Sequence, residues 1–576
     1  MWKKVLRYLG KYKLPSILSP IMVIGEVFME VTIPFLMAKI LDVGVNGDGG
    51  LPYILKIGIL MVIMSMVSMC FGVLAGRFAA VAGTGLAKNV RKKIFDKIQD
   101  FSFSNVDKFS TASLITRLTT DITYMQNAYM TMIRMLVRSP VMFISALIMA
   151  TRINARLTLV IFCFIPPLAV VIGLVMSKSF PRFKKMFEKF DKLNSSVQEN
   201  LIAIRVVKAF VRRDYENEKF VEAASDVCEA QKRAEKLIVC AMPMMMLAMY
   251  ACMIAVAWFG GHYIIQGTMF TGELVSFLSY ITQILSSLMM VSFAFVSLVI
   301  SKASVNRIVE IIEEKVDISD VGADRNLKVA NGDIVFDHVN FSYARDPENL
   351  TLEDVNLTIK SGETVGIIGG TGSAKSTLVS LIPRLYDVYS GSVKVGGHDV
   401  REYGLTELRD SVAMVLQKNV LFSGTIRDNL KWGNADATDE EIAAACRAAQ
   451  ADEFIRSFPD GYDTDLGQGG VNVSGGQKQR LCIARALLKH PKIIILDDST
   501  SAVDTATDAK IRDCFKSDLG DTTTIIIAQR VASVKEADKI IVLEDGKINA
   551  VGTHEELLAS NEIYREVYQS QNKEVA

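Results

Sequence analysis

The stretch ETVGIIGGTGSAKSTLVSLI, residues 363–382, decides the fold. A short apolar run, a glycine-rich turn and a second run opening on Lys375 read as strand, loop and helix. That order suits phosphate binding, because successive backbone amides converge on anionic oxygens at a helix N-terminus. Gly369, Gly370, Thr371, Gly372, Ser373 and Ala374 form the loop, and Lys375, Ser376 and Thr377 complete GGTGSAKST. Lys375 is expected to reach the outer phosphates and Ser376 to ligate Mg²⁺. The pattern is G-x-x-x-x-A-K-S, with Ala374 where a third glycine usually stands. A methyl group there is expected to be compatible with helical dihedrals.

Working outward, DIVFDHVNFSYA at 333–344 alternates like a strand and carries Tyr343 near its end. Downstream, PKIIILDDS at 491–499 is apolar until Asp497, which places one carboxylate at the carboxyl end of a buried strand. A carboxylate there holds the Mg²⁺ shell, and its neighbour Asp498 polarises an attacking water. Between the two strands, VNVSGGQKQRLCIARALL at 471–488 opens a helix with a serine and two glycines, giving free amides for a phosphate. Lying beyond the first nucleotide's own loop, this motif suggests service to a second molecule's nucleotide.

The chain has 576 residues, long enough for several domains. Before about residue 310 it is rich in Leu, Ile, Val, Met and Phe; beyond that, charges, glycines and short strand-like runs alternate. Stretches at about 15–45, 52–86, 130–154, 157–178, 237–264 and 271–300 each meet the length of roughly 20 apolar residues that a membrane helix needs. The expected domains are therefore 1–315, a six-helix transmembrane domain with two long cytoplasmic loops, and 316–576, a nucleotide-binding domain. The third and fourth spans, separated by TRINARLT, read as a hairpin. Long charged segments at about 87–129 and 179–236 belong on the cytoplasmic side, which places both termini inside. Their tips, FSFSNVDKFS at 101–110 and AFVRRDYENE at 209–218, are the parts of this half expected to touch a cytoplasmic domain. The basic N-terminal segment MWKKVLRYLGKYK reads as an interfacial elbow rather than a cleaved signal.

Glu26, Glu30, Arg77, Arg134 and Arg138 fall at apparent membrane depth. They read equally as the polar lining of a substrate path or as snorkelling and internally paired groups. PMMMLAMYACM at 243–253 reads either as an adaptable pocket lining or as lipid-facing filler, with a kink near Pro243. Basic and acidic residues number 64 and 63, so no global charge argues for a nucleic-acid partner. Eight cysteines show no paired spacing and are expected to be free, buried thiols.

Taken in order, GGTGSAKST, VLQKN at 415–419, VSGGQ at 473–477, IIILDD at 493–498 and SAVD at 501–504 resemble the half-transporters of the ATP-binding cassette (ABC) exporter family over nearly the whole chain. The resemblance implies the six-span type I/IV exporter fold followed by an α/β P-loop nucleotide-binding domain. It also implies ATP and Mg²⁺ as cofactors, and a dimer that sandwiches two ATP molecules between the phosphate loop of one subunit and the signature of the other. By the same resemblance Tyr343 stacks on adenine, and Gln417 senses Mg²⁺ and the membrane domain. Ser474, Gly475, Gly476 and Gln477 form the signature, and Asp504 lies in the loop that crosses between sites.

The departures from the family pattern are informative. Asp498 replaces the catalytic glutamate, and Gln529 in IAQR replaces the switch histidine. Aspartate is one methylene shorter, and a neutral amide carries no imidazolium charge, so turnover at this chain's own pocket is expected to fall by about 10²-fold or more. Val473 and Gln468 replace a commoner leucine and glutamate at the signature. The expected protein is one subunit of a heterodimeric, multidrug-type exporter in a bacterial plasma membrane. Its partner would be a second half-transporter with the consensus glutamate and histidine, its substrate an amphipathic small molecule, lipid or peptide. A homodimer with two slow ATPase sites, and an ATP-gated channel or regulatory protein, are the alternatives. The closing QSQNKEVA at 569–576 suggests no further domain.

Overall fold

The structure is a computed structural model that describes residues 1–499, 503–518 and 520–573. It divides into two compact units, Met1–Lys97 with Ala112–Glu314, and Ile98–Thr111 with Lys315–Ala576.

The first unit is helical. After Trp2–Leu6 the chain turns at Gly10, whose φ of 52° breaks the helical run before the first long helix begins. Six long helices follow: Lys13–Lys39, Gly50–Gln99, Ile122–Ile153, Ala155–Ile202, Arg213–Ile265 and Thr271–Glu313. Five of these stretches are long and apolar enough to cross a membrane; in Ala155–Ile202 the apolar part among the described residues is the shorter Ala155–Pro167. The hairpin between the third and fourth helices turns on Asn154 alone, whose Oδ1 accepts from the Leu157 amide at 3.0 Å and caps the next helix. Valines, alanines and aromatics such as Val27, Ala146, Phe277 and Tyr280 pack the centre of this unit.

The long helices run on into the charged segments and break only near their tips, at 100–102 and 110 in the first and at 203 and 210–212 in the second. The fourth and fifth run on as a pair, tied by Lys219 to Glu199 at 3.0 Å and by Asn200 to Glu216 at 2.8 Å. The cysteines are all free, but only Cys252, Cys446 and Cys482 are buried; Cys70, Cys163, Cys228 and Cys240 are exposed and Cys514 is intermediate. Their apolar surroundings in sequence mark outward-facing membrane helix as readily as an interior.

The second unit contains two sheets. Strands β1 (Ile334–Phe341), β2 (Leu352–Ile359), β4 (Ser390–Val395) and β5 (His398–Asp399) form an antiparallel sheet in the order β2-β1-β4-β5. The larger sheet runs β10-β9-β3-β8-β7-β6, built from β3 (Thr364–Ile368), β6 (Val412–Val415), β7 (Ile493–Asp497), β8 (Thr523–Ile527), β9 (Lys539–Glu544) and β10 (Lys547–Gly552). β3, β8, β7 and β6 are mutually parallel neighbours, so their carboxyl ends lie along one edge. Strand β7 is buried throughout, as expected of a central strand covered on both faces.

Ile98–Thr111 belongs to this second unit, although a boundary at 315/316 leaves it out. Within it, Ser102 caps the helix Phe103–Phe109. Ser102 and Ser104 both donate to the Asp317 carboxylate, the latter at 2.5 Å, and Asn105 donates to the Lys315 carbonyl at 3.0 Å. Burial alone would raise the pKa of Asp317, but these hydroxyls and Arg345 outweigh it and hold the carboxyl below its usual range.

Candidate nucleotide site

The common edge of the parallel strands gathers residues far apart in sequence. The phosphate loop follows β3, Gln417 lies two residues beyond β6, Asp497 ends β7, and Gln529 lies two residues beyond β8. In open α/β sheets, ligands bind at such carboxyl edges.

At the loop, Lys375 Nζ donates to the carbonyls of Gly369 and Gly370, at 2.9 and 2.7 Å, and to Ser373 Oγ at 3.2 Å. Desolvation lowers the basicity of this ammonium, with Asp497 and Asp498 opposing the effect. A Cβ on Gly369 would stand 2.1 Å from the Leu543 carbonyl oxygen, so only glycine fits there. Gly370 and Gly372 border open space instead, with nothing within 4 Å of where a Cβ would stand. Ala374 is not helical: it caps the helix Lys375–Ser380 in the left-handed conformation, φ 71° and ψ 22°. The reason is positional, since the chain must reverse its direction there to enter the helix, and glycine would do so without strain.

Ser376 Oγ donates to Asp497 Oδ1 at 3.0 Å. Burial raises the Asp497 carboxyl above its ordinary range, Asp498 adds to this, and Ser376 and Lys375 oppose it. One buried carboxylate and one hydroxyl beside the phosphate loop is an oxygen-only donor set of the kind Mg²⁺ takes when phosphates complete its shell. Among the described residues no cluster of three or more His, Cys, Asp or Glu side chains offers a metal site made of protein alone.

Asp498, at φ 48°, swings out of the β7 line while its amide donates to the Ile527 carbonyl at 3.0 Å. Its Oδ2 accepts from Gln529 Nε2 at 2.8 Å and from Gln417 Nε2 at 3.4 Å. Tyr343 is about half exposed, with its hydroxyl 2.9 Å from Thr377 Oγ1.

The signature forms a separate element. Ser474 caps the helix Gly475–Leu487 in a reciprocal box with Gln477: Ser474 Oγ accepts from the Gln477 amide at 3.3 Å, and Gln477 Oε1 from the Ser474 amide at 2.8 Å. Val473 is buried in the core beneath it, and Gln468 is exposed. Asp504 accepts from the Thr507 amide at 3.0 Å, which lowers its carboxyl below the usual range. Ser501 and Ala502 of SAVD lie outside the described residues. Among the described residues no hydrogen bond or ion pair joins the signature to the phosphate loop, so the edge residues assemble within this chain and the signature does not join them.

Sequence reading missed Tyr386. Its ring meets Tyr343 edge-on at 5.2 Å and Phe103 at 6.0 Å, and its hydroxyl donates to Asp107 at 2.8 Å. The RLYDVYS segment around it has no period or spacing that would have singled it out.

A multi-span helical unit and a P-loop unit with a phosphate cradle define a nucleotide-driven membrane protein. Residues 16–288 match the family model described as ABC transporter transmembrane region, and residues 352–501 the model described as ABC transporter. The chain is 37% identical over 571 residues to the Bacillus subtilis (strain 168) uncharacterized ABC transporter ATP-binding protein YfiB, covering 99% of this chain and 98% of that protein. It is 34% identical over 517 residues to the ATP-dependent lipid A-core flippase of Desulfotalea psychrophila, covering 89% of this chain and 90% of that one. A bacterial Atm1-family ABC exporter with ATP bound shares its fold, with a TM-score of 0.83 at 24% identity over 97% of this chain and 99% of that one. The chain belongs to the ABC transporter family: it is a multi-pass membrane protein with a cytoplasmic nucleotide-binding domain, and an ATP-hydrolysing transporter.

Proposed function

We propose that this chain is one half of a heterodimeric ATP-driven exporter in a bacterial plasma membrane. Its own phosphate-loop pocket holds MgATP and hydrolyses it slowly, and its signature completes the partner's faster site. The observation that carries this reading is the 2.8 Å bond from Gln529 to Asp498. A shortened carboxylate tied to a neutral amide is poorly placed to orient a water, and glutamine at 529 cannot carry the charge an imidazolium would bring to the terminal phosphate. The glycine-rich loop, Lys375, Ser376 and Asp497 support binding; Asp498 and Gln529 limit turnover. ATP with Mg²⁺ supplies the phosphoanhydride that is cleaved.

Lys375 would hold the outer phosphates, Tyr343 would lie against the adenine, and Ser376 with Asp497 would fix the metal. Ser474, Gly475, Gly476 and Gln477 would offer amides and a hydroxyl to the partner's nucleotide, with Asp504 at the crossing between sites. Substrates are amphipathic small molecules, lipids or peptides. The test is the ATPase rate of the purified chain alone in lipid, compared with its complex with a half-transporter that carries the glutamate and histidine. Robust turnover by the single chain, abolished by Asp498→Asn, sinks the partner requirement.

A second reading, a homodimer with two slow sites, is supported by the carboxylate that Asp498 retains and by the presence of both halves of a composite site on one chain. The same rate measurement separates the two.

A further inference from the structure

Glu26, Glu30, Arg77, Arg134 and Arg138 line one cleft of about 630 Å³ in the helical unit. Arg138 bridges both acids, reaching Glu26 through Nη1 and Glu30 through Nη2, the latter at 2.6 Å. Arg77 and Arg134 are exposed and have no carboxylate partner among the described residues. A guanidinium cannot shed its charge, so these two remain cations wherever they sit.

Their depth is informative. Arg134 lies about 29 Å of helix from the short-loop end at Ile153, and Arg77 about 40 Å from the end at Gly50. With hydrocarbon about 30 Å thick, Arg134 falls at the cytoplasmic boundary and Arg77 about 10 Å beyond it, among the headgroups. The second long helix comes close to both groups: a Cβ on Gly72 would crowd Glu26 Oε1 at 3.1 Å, and one on Gly76 would be in ordinary contact with Arg134 Nη1 at 3.8 Å. Toward the opposite face of the membrane the cleft continues into an apolar groove of about 650 Å³, which shares Ser65 and Met69 with it and is lined further by Met37, Met61, Val62 and Met66. Residues 58–69 of that helix span about 17 Å, the reach of an acyl chain rather than of a short organic acid. Among the described residues, no methionine of 243–253 lines either cleft.

We propose that Arg77 and Arg134 take the acidic group, phosphate or carboxylate, of an amphipathic anion whose apolar chain lies in the methionine-lined groove. The Glu26–Arg138–Glu30 bridge neutralises one guanidinium internally and leaves the other two for the ligand. Planar forked donors suit an oxyanion, and polarisable, unbranched methionines accept chains of varied shape. This deepens the exporter reading by naming a substrate class, and it rests on that reading only for the word substrate.

The test is equilibrium binding to the purified full-length transporter in a neutral detergent without nucleotide. The probes are lysophosphatidate, the monoacylglycerol of the same chain length, and inorganic phosphate. Wild type should bind lysophosphatidate at least tenfold more tightly than the monoacylglycerol. Arg77→Gln and Arg134→Gln should each remove most of that preference, while Arg77→Lys and Arg134→Lys, which keep charge and fold, should retain part of it. Met61→Asn should weaken lysophosphatidate without improving phosphate. No preference in wild type, or a preference that survives both Gln variants, overturns the proposal. Competition by inorganic phosphate at the same concentration as lysophosphatidate also overturns it, by assigning the cleft to a small free anion. Because no nucleotide is present, fast hydrolysis at this chain's own pocket would overturn the asymmetric reading and leave this binding result standing.

Discussion

Gln529 donates its side-chain amide to Asp498, joining two residues 31 positions apart at the ends of neighbouring parallel strands. Each replaces a longer or charged group of the family pattern, and their mutual bond satisfies the carboxylate without directing it at a nucleophile. The double substitution Asp498→Glu with Gln529→His should therefore raise hydrolysis in this pocket by about 10²-fold, since positioned general bases and charge-stabilising donors each contribute on that scale. Single-turnover hydrolysis of ATP trapped in this pocket, with the other pocket inactivated, measures it; an unchanged rate would place the limit elsewhere.

The phosphate loop makes two opposite demands on backbone. Gly369→Ala would drive a Cβ to 2.1 Å from the Leu543 carbonyl oxygen, so it should cost about 2 kcal/mol or more and abolish ATP binding. Ala374→Gly relaxes a left-handed alanine and should stabilise the protein by about 0.5 kcal/mol, the relief of strain exceeding glycine's entropy cost. Thermal unfolding and ATP titration of the two variants should move in opposite directions.

Asp317 anchors the helix Phe103–Phe109, and its carboxyl titrates below the ordinary 3.8. A depressed carboxylate adds stability that is complete above its unfolded value and disappears as pH falls through its folded value. Hydrogen exchange at residues 102–109, corrected for intrinsic rates, should be pH-independent from 7 to about 5 and rise once pH drops below about 4. Asp317→Asn should show the raised exchange already at neutral pH.

Tyr386 touches the Tyr343 ring and bonds Asp107. Removing the ring in Tyr386→Ala should weaken ATP binding several-fold, because an aromatic pair contributes about 1 kcal/mol beyond its buried area. Tyr386→Phe should leave ATP affinity near wild type while increasing exchange at residues 103–109. Equal effects of the two variants on ATP affinity would show that the hydroxyl, not the ring, matters to the nucleotide.

The phosphate loop was legible because strand, glycines and Lys-Ser are contiguous, and local order alone implies their geometry. That Gln417, Asp498 and Gln529 meet could be named only through family resemblance; their contacts, across 81 and 31 residues of sequence, follow from the strand order β3-β8-β7-β6 and leave no local signal. Ala374 misled for a related reason: alanine favours helix, but the loop's change of direction overrides propensity at that position. The membrane charges were visible one by one, yet the pairing of Arg138 with both acids, which frees Arg77 and Arg134, depends on how three helices face each other.

The paired fourth and fifth long helices are unbroken rods of 48 and 53 residues, about 70 to 80 Å long. Stiffness over that length turns angle into travel: a rocking of about 5° at one end displaces the other by about 6 Å, roughly the pitch of one helical turn. A small local rearrangement at the Asn200–Glu216 end is thereby geared up along the pair, and Pro166, Pro167, Pro181 and Pro243 are the places where a bend would absorb part of it.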